Sequence, residues 1–196
     1  MRHYLLASLL ATTIIYAHGH SDKEAINEKH LPWYIIAKGA MITGSRLSES
    51  EDVLDGRRGY GYGMDLGYHL SREFALEADY TYAVNDVDVE GKGEVKRDRY
   101  RYYSYAIDAV YTYEYSEDLG LFAKVGYEYE EEKVKSLAKT NYGAGLVWGI
   151  GLEYHLAGSY KTVIEYEHST LEGPHGEYLF FGIMYGFELW RRSKFN

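Results

Sequence analysis

Residues able to do chemistry recur two apart along this sequence, and that spacing governs what they can do. Lys38, Asp65, His69, Glu77, Asp79, Asp108, Lys124, Glu128, Glu153, His155, Lys161, Glu165 and Glu188 lie in stretches where polar and bulky residues alternate. Lysines and carboxylates sharing one face could form ion pairs or line a charged path. His168 and Thr170 would set an imidazole near a hydroxyl, the pairing that activates an oxygen nucleophile. Were the chain cut after Ala17, the new amine and His18-Gly19-His20 could wrap Cu²⁺ or Ni²⁺ in a square of nitrogens. GYGYG at 59–63 and GAGLVWGIG at 143–151 superficially suggest a phosphate-binding loop.

The elements that hold these residues decide among such readings. In the segment 100–115, Tyr103, Tyr105, Ile107, Ala109, Tyr111, Tyr113 and Tyr115 share one face of an extended strand. Ser104, Ala106, Asp108, Thr112 and Glu114 occupy the other, because successive strand side chains point to opposite sides. The same division predicts eight strands at 33–44, 59–70, 73–83, 100–115, 119–130, 141–156, 160–168 and 177–190. The connections 71–72, 116–118 and 157–159 are tight turns, whereas 44–58, 84–99, 131–140 and 169–176 are long and rich in charge or glycine. Short turns at one end and long loops at the other fit an outer-membrane barrel with periplasmic termini.

Volume fixes which face points out. Tyr142, Leu146, Trp148, Ile150, Leu152 and Tyr154 form one row, and Leu179, Phe181, Ile183, Tyr185, Phe187 and Leu189 another. Eight such rows cannot fit inside an eight-stranded barrel, which has room for little more than ordinary side chains. Gly61, Gly63, Gly67, Gly143, Gly145, Gly149, Gly151, Gly182 and Gly186 lie on the opposite face and do fit there. These glycines are therefore interior packing positions, since no helix pattern follows them as a phosphate loop requires. The bulky face meets lipid, and the charged set fills the lumen. Lys38, Asp65, Asp108, Lys124, Glu128 and Lys161 are expected to form its ion-pair network, because dry charges must be paired.

Composition agrees with a membrane barrel. The mean hydropathy is −0.41, yet a barrel strand shows lipid only every second residue. Tyr, present 23 times in 196 residues, suits a bilayer interface with its apolar ring and wet tip. Residues 1–17 (MRHYLLASLLATTIIYA) read as a secretory signal, with Arg2 ahead of a short apolar run. Residues 18–32 then form a polar periplasmic leader, which accounts for the His18-Gly19-His20 run without a metal. The barrel spans 33–190, and a short basic tail occupies 191–196. With no Cys there is neither a lipobox nor a disulfide framework, and the net charge of −9 excludes a general nucleic-acid binder.

The residues carry a family resemblance. WYIIAKGAMITG at 33–44 resembles the first strand of the transmembrane domain of outer-membrane protein A, in the register of Trp33, Tyr34 and the inward Lys38. YGMDLGYHLS followed by FALEADYTY is similar to the second and third strands of that domain and of the opacity-type small barrels. GLEYHLAGSYKTVIEYEHS resembles the sixth-to-seventh-strand hairpin of the same superfamily. The resemblance implies that Asp65 pairs with Lys38, and that the barrel-assembly machinery reads an aromatic final residue, a pattern with which Gly182, Tyr185 and Phe187 are compatible in spacing but from which RRSKFN behind Trp190 departs. It does not carry over the peptidoglycan-binding domain of outer-membrane protein A, because this sequence stops at Asn196.

Rim and surface residues supply the candidate contacts. Arg57, Arg58, Arg97, Arg99 and Arg101, with Lys96, Lys133 and Lys135, lie near the outer rim and could hold lipopolysaccharide phosphates. Arg191, Arg192 and Lys194 would meet periplasmic-leaflet head groups. His168 and Thr170 are similar in spacing to the His-x-Ser pair of lipid A deacylase barrels, with Glu172 or Glu177 as the acid, but Thr replaces Ser. The expectation is an all-β, eight-stranded antiparallel transmembrane barrel in the cell outer membrane, an up-and-down meander. It needs no cofactor or metal and is not expected to be an enzyme. Its surroundings are outer-membrane lipid and lipopolysaccharide, and its extracellular loops would contact a host or cell-surface ligand or support envelope integrity. The alternatives are a narrow pore for small solutes or ions and, ranked last, a lipid A-modifying enzyme.

Overall fold

The period-two pattern folds into a continuous antiparallel ladder. A computed structural model describes residues 31–49, 52–91, 94–134 and 139–188. The strands are β1 (Trp33–Ile42), β2 (Arg46–Glu49), β3 (Asp52–Gly56), β4 (Gly59–His69), β5 (Phe74–Gly91), β6 (Glu94–Glu114), β7 (Leu119–Val134), β8 (Lys139–Ala157), β9 (Tyr160–Ser169) and β10 (Tyr178–Phe187). β1 and β4 to β10 pair in sequence, and β10 returns to β1 to close an eight-strand barrel. Closure satisfies every strand edge at membrane depth, where no water could. The signal at 1–17, most of the 18–32 leader, Leu189, Trp190 and the 191–196 tail lie outside the described residues, as does Lys135.

The tight turns follow from local chemistry. Ser71 Oγ accepts from the Phe74 N–H at 3.1 Å, and Ser116 Oγ accepts from the Leu119 N–H at 3.1 Å. Each serine thus replaces a backbone partner at the bend. Gly158, at φ 61°, takes the left-handed conformation in the third turn.

The outer end departs from the expected loops. Residues 84–99 are not a loop: β5 and β6 continue as a hairpin to the pair Gly91↔Glu94. The 44–58 connection folds into the β2–β3 hairpin, and β3 pairs with the top of β5 from Val53↔Glu90 to Gly56↔Val87. β7 and β8 likewise extend to Val134 and Lys139, narrowing the expected 131–140 loop. The result is a sheet in the order β2-β3-β5-β6 standing on the barrel at its long-loop end, the end expected to be extracellular. Its alternation is phase-reversed relative to the membrane part. Val87, at 0 % exposure, faces inward, whereas Arg97 and Arg99 face out, as they must above the lipid.

The lumen is stacked in three layers. At the mouth, Ala40, Ile42, Leu54, Val87, Tyr102 and Phe180 belong to one apolar cluster. At the periplasmic end Tyr34, Ile36, Val110, Val163 and Met184 belong to another, with Phe122 packed against it. A charged layer around Lys38 and Lys124 lies between them. The connection at 170–177 also folds inward, with Pro174 and His175 buried. The Pro174 carbonyl accepts from the Ser45 N–H at 3.1 Å and from Asn85 Nδ2 at 3.0 Å, and the His175 carbonyl accepts from the Gly44 N–H at 2.9 Å.

Candidate functional site

Two charged regions are built by the strands. In the lumen, β1 aims Lys38 inward at mid-barrel, where Gly63 and Gly182 are its ladder neighbours and leave room for its stem. Lys38 Nζ lies 2.5 Å from Asp79, 3.0 Å from Asp65 and 3.6 Å from Glu165. Phe180 roofs the ammonium from the mouth side, its ring centroid 4.2 Å away. Lys124 on β7 contacts Glu165 closely, Glu167 at 2.6 Å and Asp79 at 3.9 Å. From below, Tyr34 donates its hydroxyl to Glu77 at 2.7 Å. Gly67 is required there, since any side chain on it would run into the Tyr34 ring.

The six residues expected to form one lumen network do not all join it. Lys38, Asp65 and Lys124 share the central layer, with Asp79, Glu165 and Glu167 as the other members. Lys161 forms a separate pair with Glu153 at 2.6 Å, a third exposed and nearer the periplasmic rim. Glu128 pairs with no described lysine: it accepts from Ser104 Oγ at 2.8 Å and from the Ser169 hydroxyl. Asp108 is 1 % exposed, and both of its oxygens lack a hydrogen-bond partner among the described residues. Strand parity predicts which residues face inward but not their heights, so it could not separate these groups. The inward carboxylates Asp79, Glu165 and Glu167 carried the same parity signal as Asp65.

The second region covers the outer face of the extracellular sheet. Asp88 on β5 accepts from Arg57 at 2.6 Å and from Arg97 at 2.8 Å. Those two hydrogen bonds, Arg97 first, hold the Asp88 carboxyl below its ordinary range. Arg99 donates to Asp86 at 3.1 Å, and Arg46 reaches Glu90 at 3.4 Å. Arg57, Arg97 and Arg99 thus spend their charge on this cross-strand ladder. Arg58 is exposed beside them. Arg101 faces Val84 on one side and Lys133 on the other, and Lys133 stacks on Tyr103 at 4.6 Å and bonds Glu131 at 2.9 Å.

On the lipid-facing wall, His168 Nδ1 lies 2.9 Å from Glu177, which also accepts from the Tyr166 hydroxyl at 2.8 Å. Trp148 packs beside both rings. Thr170 Oγ1 instead accepts from the Leu146 N–H at 2.9 Å. Glu177, rather than Glu172, is therefore the acid beside His168, and no hydrogen bond among the described residues joins His168 to Thr170. His18-Gly19-His20 lies outside the described residues, and no metal-holding group of His, Asp or Glu occurs among those described.

The decisive comparison is with sequence families: a model described as the outer membrane protein beta-barrel domain matches residues 7–187. The chain belongs to that family. As an outer membrane beta-barrel protein it resides in the outer membrane, and solved structures share its fold. Outer membrane protein OprG from Pseudomonas aeruginosa superimposes with a TM-score of 0.63 at 12 % identity, covering 81 % of this chain and 97 % of that one. Neisserial surface protein A gives 0.60 at 15 % identity, covering 79 % and 97 %. No curated protein sequence matches.

Proposed function

We propose that this outer-membrane barrel is a closed scaffold whose extracellular sheet is a contact surface for a host or cell-surface ligand, with a share in envelope integrity. The observation that carries the reading is the β2-β3-β5-β6 sheet itself, which has an apolar inner face, Leu54 and Val87 among it, and stands above the lipid. A sheet with its own core can present side chains in fixed positions, as recognition requires. The layered lumen supports the scaffold half of the reading, since two apolar plugs enclose the charge layer. Outer-membrane lipid is the setting, and Arg101 is the best-supported contact for lipopolysaccharide phosphate, because Val84 and Lys133 rather than carboxylates stand directly opposite it, whereas Lys133 is bonded to Glu131. The enzyme alternative has less support, since Thr170 bonds the backbone rather than His168.

The test compares bacteria displaying the whole barrel with bacteria displaying a trimmed one, in which Asn85 joins its ladder partner Tyr100 through an Asn-Gly turn. Attachment to epithelial monolayers should fall to background with the trimmed barrel, while heat-modifiable gel mobility persists. Equal attachment would overturn the contact reading. Single-channel conductance of the purified whole barrel in planar bilayers would favour the pore instead.

A further inference from the structure

Tyrosine rings meet in a tilted row across three neighbouring strands at the long-loop end of the lipid-facing wall. Tyr62 on β4, Tyr82 on β5 and Tyr103 on β6 stand directly opposite one another in the ladder. The Tyr62 and Tyr82 ring centroids are 5.2 Å apart with their planes 44° from parallel, and those of Tyr82 and Tyr103 are 5.1 Å apart at 51°. A bilayer interface accounts for tyrosines one at a time. It does not require them to face each other across the ladder.

Two phenol rings joined by a carbon–carbon bond lie twisted about that bond rather than stacked. A tilted contact therefore prepares such a bond, and a stacked contact does not. Tyr129 and Tyr142 are the contrast, 6.1 Å apart with their planes only 19° from parallel. With no Cys in the chain, tyrosine is the residue left that cross-links to its own kind on one-electron oxidation.

We propose that Tyr62 and Tyr82 are an oxidative cross-linking site, joined as dityrosine when a haem peroxidase spends hydrogen peroxide outside the cell. One hydrogen atom leaves each phenol, the two radicals couple between the carbons ortho to oxygen, and the ring hydrogens at those carbons move to the oxygens to restore both phenols. The balance is two tyrosines and one hydrogen peroxide giving one dityrosine and two waters. Tyr62 is 58 % exposed, with no described lysine or arginine over its ring. Lys133 instead stands over Tyr103 at 4.6 Å, so taking an electron from that ring would set positive charge against positive charge. Tyr80 and Tyr105 repeat the geometry at 5.3 Å but one row deeper, further from an oxidant in water. The bond would constrain the unfolded chain around the β4–β5 hairpin as a disulfide does, in a protein that has none.

The test uses the full chain, one barrel per phosphatidylcholine nanodisc, treated with a haem peroxidase, hydrogen peroxide and free tyrosine, whose radical carries the oxidation to the bilayer surface. Trypsin cuts after Arg58, Arg72 and Lys92, so mass spectra should show segment 59–72 joined to segment 73–92, two hydrogen atoms lighter than their sum. Tyr62→Phe and Tyr82→Phe should each abolish the link, whereas Tyr60→Phe and Tyr68→Phe leave it. All four variants keep their rings and should keep heat-modifiable mobility. Lys133→Gln should raise the Tyr82–Tyr103 product relative to the Tyr62–Tyr82 one. Tyr160 and Tyr185, at 4.9 Å and 37° near the short-turn end, should couple by the same rule, and Tyr129 with Tyr142 should not. The linked protein should need more urea to unfold. No joined segments, a link that survives Tyr62→Phe, or oxidation that stops at the sulfoxide of Met64 would each overturn the site.

Discussion

The lumen and the extracellular sheet are built from the same chemistry, basic side chains 2.5 to 3.6 Å from carboxylates, and differ in what surrounds it. Lys38 and Asp65 are 4 % and 0 % exposed, between apolar clusters, with Phe180 against the ammonium. Arg57, Arg97 and Asp88 stand in water. A buried charge stripped of its partner keeps its desolvation penalty, whereas an exposed one is rehydrated. The same ion-pair geometry therefore holds the barrel together in one region and shapes a surface in the other.

The largest expected effect lies in the lumen. Lys38→Met should destabilise the barrel by ~3–5 kcal/mol in urea unfolding from lipid vesicles, because it orphans buried carboxylates. Asp65 contacts only Lys38 among the described lysines, whereas Asp79 and Glu165 also reach Lys124. Adding Asp65→Asn to Lys38→Met should consequently restore more stability than adding Asp79→Asn. The reverse order in a double-mutant cycle would dissolve the distinction between the two carboxylates.

The next effect is on the lipid-facing wall. Ile107, 63 % exposed near mid-strand, faces hydrocarbon, so Ile107→Arg should cost ~2–4 kcal/mol in the same refolding measurement. A change near zero would contradict the assigned face of β6. A smaller loss, ~1–3 kcal/mol, is expected for Tyr102→Phe, which leaves the buried Asn85 Oδ1 without its 3.0 Å donor.

The smallest effects belong to the ladder. Arg97→Gln should leave the unfolding midpoint unmoved at physiological salt, where exposed pairs are screened. Asp88 should nonetheless register its arginines by titration. Its carboxyl is held down in the folded state, so the pairing is fully present above the ordinary value of ~3.9 and is lost only as the pH falls through a lower midpoint. A carboxyl NMR titration should show that lowered midpoint, and Arg97→Gln should raise it.

Much of the barrel was legible because alternation survives as a single-sequence signal. Tyr103 to Tyr115, Leu146 to Ile150 and Phe181 to Tyr185 face outward as their phase implies. The 84–99 hairpin was missed although it also alternates. There Val87 and Val89 lie on the inner face and Asp86, Asp88 and Glu90 on the outer, the phase of a sheet bathed in water, so a search for aromatic rows passes over it. The inward fold of Pro174 and His175 had no local signal, since it depends on Asn85 and Ser45, remote in sequence. Among candidate residues, parity found Lys38, Asp65 and Lys124. It could not exclude Asp108 and Glu128, because partner choice depends on height and stagger.

That reversal of phase along β5 measures the bilayer. Lipid-facing character runs from Phe74 to about Val84, beyond which Asp86 and Asp88 take the outer positions. About ten residues at ~3.3 Å, tilted ~40°, rise ~25 Å, the height of the apolar band in outer-membrane barrels. A thicker bilayer would drag Asp86 and its arginine toward hydrocarbon or have to thin around the protein, at a fraction of a kcal/mol per Å of mismatch. The strand that carries the contact surface is thus also the protein's depth gauge, tuned to a thin membrane.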